Sequence, residues 1–117
     1  MKTPIFSLVL ILFLLVSCGN KRPPTKEKNT ATPLFLIDPA YPRKAAIAGV
    51  EGRVKIQFTL TKTGRVKEPV VIDSYPKGVF DSEAIRALLH SRFKPWIENG
   101  EPVEHEAIHV YEFKLPN

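Results

Sequence analysis

The stretch "GRVKIQFTL", Gly52 to Leu60, alternates apolar and polar residues along its whole length. Val54, Ile56, Phe58 and Leu60 fall on one face, and Arg53, Lys55, Gln57 and Thr59 on the other. A period of two with one greasy face reads as a strand that is buried on one side and wet on the other. The next residues, "TKTG" at Thr61 to Gly64, read as a hairpin turn in which Gly64 supplies the positive φ that such turns demand. A second strand is expected from about Val66 to Ser74, and it contains Pro69. A proline has no N–H to give to a ladder, so this strand belongs at a sheet edge or carries a bulge there.

Outward from this hairpin, "PAYPRKAAIAGVEG" places Pro39 and Pro42 before the helix formers Arg43 to Ala48, with Gly49 as a stop. It predicts a short helix burying an alanine-rich face with Ile47 and Tyr41. "FDSEAIRALLHSRFKP" predicts the main helix, capped by Asp81 or Ser82, with Glu83 at its positive end and His90 and Arg92 at its negative end. Ala84, Ile85, Leu88 and Leu89 make its core stripe, and Pro95 closes the run. Asn99-Gly100 is a turn signal. After it, a last strand is expected from Val103 to Leu115. Its alternation is imperfect, since Ala107, Tyr111 and Phe113 share one parity and Ile108 and Val110 the other. A bulge, or partial burial of both faces, would account for that mixture.

The 117-residue chain carries a formal charge of +5, but the excess is local. Lys21, Arg22, Lys26 and Lys28 lie together, whereas from Pro33 onward 12 basic side chains face 11 acidic ones. That near-balance is no footprint for a phosphate backbone, and nucleic acid is not expected as a partner. Ile5 to Val16 is an apolar run behind Lys2, of signal-peptide length and short of the roughly 20 residues a membrane span needs. The chain's one cysteine, Cys18, is a free thiol, a modified residue or half of an intermolecular pair.

Leu15-Val16-Ser17-Cys18 resembles the lipobox of bacterial lipoproteins, which implies cleavage after residue 17 and lipidation of Cys18. A soluble protein cut nearby and a retained N-terminal anchor are the alternatives. By the sorting rule of such lipoproteins, Gly19 after the cysteine implies the outer membrane rather than the inner. Residues 18–38 then form the lipidated N-terminus and a polar, proline-containing linker. Its 20 residues beyond the cysteine reach roughly 60 to 70 Å when extended. The folded domain is expected over 39–117.

Catalytic and metal chemistry is not called for. His105 and His109 are four apart, which on a strand separates them by roughly 13 Å. Glu98, Glu101, Glu104 and Glu106 cluster without a second group placed for acid–base work. Ser74, Ser82 and Ser91 lack a G-x-S-x-G setting, and no glycine-rich phosphate loop appears. No cofactor and no metal are expected.

From Tyr41 to Phe113 the motifs recur in a recognisable order. They are Tyr41-Pro42 with Ala45, "G-x-V-x-I-x-F-x-L" at Gly52 to Leu60, "G-R-V" at Gly64 to Val66, and "V-x-x-S" at Val71 to Ser74. Asp81 with Ala84, "F-K-P" at Phe93 to Pro95, "N-G-x-P-V" at Asn99 to Val103 and a final "V-Y-E-F" follow. Together they resemble the TonB C-terminal domain family. The resemblance implies an α+β fold of the TonB/TolA C-terminal type: a three-stranded antiparallel sheet with one main helix and a short N-terminal helix on one face. It also implies a central first strand and a last strand at the open edge, where a segment of an outer-membrane TonB-dependent receptor adds as a further strand. The residues so implicated are Glu104, His105, Glu106, Ala107, Ile108, His109, Val110, Tyr111 and Glu112. The alternative is a structural or assembly role, with the same edge serving a homodimer or another envelope protein. An energy-transducing TonB keeps its N-terminal helix in the inner membrane and has a long proline-rich crossing segment, and the apolar run and linker here depart from both.

Overall fold

The computed structural model describes residues 29–116. Its elements in chain order are β1 (Pro33–Phe35), α1 (Arg43–Ala48), β2 (Gly52–Leu60), β3 (Val66–Tyr75), α2 (Asp81–Leu89), β4 (Arg92–Phe93), β5 (Trp96–Glu98), β6 (Glu101–Val103) and β7 (His105–Phe113). Three of them form the main sheet, in the order β3-β2-β7 with both pairings antiparallel. Two small ribbons, β1 with β4 and β5 with β6, stand beside it.

β2 has the bounds read from its alternation. Val54, Ile56, Phe58 and Leu60 are each no more than 1% exposed, and each such side chain stabilises the fold by about 1.5–3 kcal/mol. The row packs under Ala84, Ala87 and Leu88 of α2 and under Phe80, Phe93 and Phe113. Phe80 stacks on Phe113 at 4.3 Å between centroids, and Tyr41 meets both rings edge-on. β3 is an outer strand and is also bulged: its register slips on either side of Gln57, and Glu68, just before Pro69, has φ 52°. Gly64 turns the hairpin at φ 83° with its Cα against the Phe93 carbonyl, where a Cβ would collide. The Phe93 N–H donates to the Gly64 carbonyl at 2.9 Å.

Several local expectations need correction. Neither Asp81 nor Ser82 caps α2; Phe80 holds the N-cap position without a side-chain bond, and Asp81 lies in the first turn with Glu83. His90 is at the C-terminus, where its Nδ1 lies 2.8 Å from the Arg86 carbonyl, but Arg92 has already entered β4. Leu89 is half exposed and Ala87 takes its place in the core, because Ala84, Ala87 and Leu88 share one face of the helix at i, i+3 and i+4 and Leu89 falls off it. In α1 only Ala45 is buried and Ile47 points outward, 77% exposed. The last strand begins at His105 rather than Val103, since Val103 pairs with Trp96 in the β5–β6 hairpin turned by Asn99 (φ 51°) and Gly100 (φ 80°). No bulge interrupts β7, which pairs with β2 in unbroken register from Gly52↔Phe113 to Leu60↔His105.

Residues 29–38, read in the sequence as the end of the linker, lie against the domain. Ala31 is 4% exposed, the Lys94 N–H donates to the Thr32 carbonyl at 2.8 Å, and the Ile37 N–H donates to Ser91 Oγ at 3.0 Å. The expectations for the signal segment and for Cys18 fall outside the described residues. Among the described residues no helix is long and apolar enough to cross a membrane.

Candidate functional site

β7 uses one side of its backbone to pair with β2 and turns the other away from the sheet. In an antiparallel ladder, successive residues direct both N–H and C=O alternately toward the partner and away from it. The phase is set by Ile108, whose N–H donates outward to the Asn29 carbonyl at 3.0 Å. Ile108 and Gln57 are therefore a non-hydrogen-bonded pair. Glu106, Val110 and Glu112 share that parity and present their backbone groups to the open side, one set about every 7 Å.

The side chains of this row lie on the wet face. Glu106, Val110 and Glu112 are exposed and Ile108 is half-buried. The Gln57 Nε2 donates to Glu106 Oε1, and Lys114 Nζ lies 3.4 Å from Glu112 Oε2. Lys55 pairs across from Val110 and Arg53 from Glu112, and the Arg53 guanidinium is 3.7 Å from Asp73. Apolar Val110 thus stands between charged neighbours at the rim.

The other parity faces the core and explains why the strand's pattern looks mixed in sequence. His105 stacks on Trp96, Ala107 is fully buried, His109 meets Phe93 and Tyr111 edge-on, and Tyr111 is 5% exposed. Two histidines stand in an inward row, so the alternation survives in space while hydropathy loses it. Burial holds the His109 imidazole below its ordinary pKa. Burial also raises the Tyr111 phenol, with the Asp38 carboxylate adding to the rise and a Ser91 hydrogen bond opposing it. The Tyr111 hydroxyl donates to the Ile37 carbonyl at 3.3 Å, fastening β7 to the segment before α1.

Of the nine residues implicated by sequence, Glu106, Ile108, Val110 and Glu112 form the open row, whereas His105, Ala107, His109 and Tyr111 anchor it from behind. Glu104 lies outside β7, at the join with β6, its carboxylate 3.7 Å from Lys67 Nζ. His105 and His109 face the same way but engage different rings. Among the described residues no group of three His, Cys, Asp or Glu could hold a metal ion. The sequence reading missed Asn29 and Thr30, which reach the edge through a parallel bridge between Thr30 and Ile108. A single bridge leaves no periodic signal by which it could have been found.

Comparison with known proteins agrees with this architecture. The model of the family described as "Gram-negative bacterial TonB protein C-terminal" matches residues 37–115. Protein TonB of Pseudomonas aeruginosa is 40% identical over 83 residues, covering 71% of this chain and 24% of that protein. Protein TonB of Vibrio cholerae is 34% identical over 80 residues, covering 68% of this chain and 32% of that protein. The chain therefore spans a third or less of the length of these curated relatives. The solution structure of the Pseudomonas aeruginosa TonB C-terminal domain superposes with a TM-score of 0.64 at 36% identity, covering 79% of this chain and 93% of that one. The TonB2 protein of Vibrio anguillarum gives 0.58 at 32% identity, covering 85% and 94%. With the family model spanning the sheet, both helices and the open edge, the chain belongs to the TonB C-terminal domain family.

Proposed function

We propose that this protein is an envelope lipoprotein whose TonB-like domain lies in the periplasm and binds a segment of an outer-membrane TonB-dependent receptor by strand addition, as transducer or accessory adaptor in transport. The observation that carries this reading is the row of outward backbone groups at Glu106, Ile108, Val110 and Glu112, on the one long edge of the sheet that is unbulged. An extended segment laid along that row gains main-chain hydrogen bonds from the backbone and selectivity from the alternate side chains. The opposite edge is interrupted by the Glu68–Pro69 bulge, which disfavours pairing there. Strand addition needs no reacting group, and the domain acts here as a binding module rather than an enzyme.

The anchor in this reading is a diacylglycerol carried by Cys18, in the outer membrane by the sorting rule that Gly19 satisfies. Two or more acyl chains make such attachment stable where one is marginal. The test is titration of the full chain with a synthetic peptide of the periplasm-facing N-terminal segment of a TonB-dependent transporter, followed by NMR. Amide shifts centred on Ile108 to Tyr111 are expected; none at millimolar peptide would sink the proposal.

A further inference from the structure

We infer that Asn29 and Thr30 are an intramolecular competitor for the β7 edge, seated where a partner strand pairs and displaced when one binds. This regulation rests on reading the edge as the partner site.

The contested group is the Ile108 N–H. It belongs to the outward row and already donates to the Asn29 carbonyl at 3.0 Å, with Thr30 bridged to Ile108 in the parallel sense. One amide hydrogen makes one good bond, so an incoming strand that uses Ile108 must remove Asn29.

The residues that follow hold the competitor in place. Ala31 is buried, Thr32 accepts from the Lys94 N–H, β1 pairs with β4, and Ile37 is bound to both Ser91 and Tyr111. Asn29 is thus presented to Ile108 from a point two residues away, at high effective concentration. The bridge pairs Thr30 with Ile108. A partner strand that runs along Val110 and Glu112 to Glu106 has to take the Ile108 N–H from Asn29 on its way.

Occupancy of this kind lowers apparent affinity by the fraction of molecules whose edge is open. It also blunts an exposed strand that would otherwise pair with unrelated edges.

The experiment uses the full chain and its Ala31→Glu variant, with the transporter peptide as probe. Ala31 is 4% exposed, so a glutamate there lifts the segment that carries Asn29. In the wild type the Ile108 amide is expected to exchange roughly tenfold more slowly than that of Val110, after correction for intrinsic rates. On titration, the Thr30 and Ile108 resonances should follow one saturation curve. In the variant the Ile108 amide loses its protection, the Ala107 amide keeps its own, and the peptide binds about three- to tenfold more tightly. Binding of equal strength by both forms overturns the competition and leaves the edge as partner site. Binding by neither overturns both. If the variant fails to fold, the wild type decides alone: an Ile108 amide as fast as Val110, or Thr30 unmoved at saturation, contradicts the inference.

Discussion

The His105 imidazole lies flat on the Trp96 indole, with ring centroids 3.8 Å apart and planes 8° from parallel. Trp96 belongs to the β5–β6 hairpin and His105 opens β7, so this stack joins the small ribbon to the strand that carries the site. Replacing Trp96 with alanine removes a half-buried aromatic and should cost about 2 kcal/mol, below the range for fully buried rings. Phe at this position keeps a stack and should cost under about 1 kcal/mol. Urea denaturation followed by circular dichroism distinguishes the two; equal losses would show that the stack contributes nothing.

Gly52 is required by space and not by φ. A Cβ there would run into the Tyr75 carbonyl oxygen and lie 2.7 Å from Phe80 Cε2. The carbonyl is backbone within the β2–β3 pairing and cannot retreat without breaking it. Gly52→Ala should therefore destabilise by about 2–3 kcal/mol, in the range for overpacking. Gly49→Ala meets open space at φ 70° and carries only the left-handed penalty, roughly 1 kcal/mol. The reverse order in thermal unfolding would contradict this reading.

β2 was legible to the residue because its neighbours on both sides are strands of one sheet, so one face meets core and the other water. β7 was legible in existence but not in phase, because His105 and His109 occupy core-facing positions that hydropathy treats as polar. The sequence offers Asp81 or Ser82 as the cap of α2, but the chain enters through Phe80, whose ring fills the core, and both polar residues fall too late to cap. The open edge was reached through family resemblance and the proline in β3. Its division into outward and inward residues depends on ladder phase, which only the register and the Ile108–Asn29 bond supply.

His109 sets a pH dependence. Burial holds its native pKa below the ordinary value, so the unfolded chain binds more protons once the pH falls below about 6.5. The contribution of this group to stability is intact above that value. It is lost as pH drops from about 6.5 through the lowered native pKa and is flat beneath it. His109→Phe removes the titrating group between Phe93 and Tyr111. The variant should show a smaller fall in Tm between about pH 7.5 and pH 5 than the wild type, and an unchanged fall would exclude His109 as the cause.

The proposed lipid anchor has its own readout. Protein extracted from membranes should have the intact mass of a chain beginning at acylated Cys18, and Cys18→Ala should abolish that mass and accumulate a longer precursor. A mass retaining Met1 to Ser17 in the wild type would replace the lipid with an uncleaved N-terminal anchor.

If a partner strand pairs along the outward row of β7, Val110→Pro should block it without breaking the sheet. The Val110 N–H faces away from β2, so proline there removes no bond of the native ladder. It does remove a donor that an added strand needs, and its ring obstructs close approach. The variant should fold, with thermal unfolding within a few degrees of the wild type, and its affinity for the transporter peptide by calorimetry should fall at least about tenfold. A folded Val110→Pro protein that binds the peptide as tightly as the wild type would contradict it.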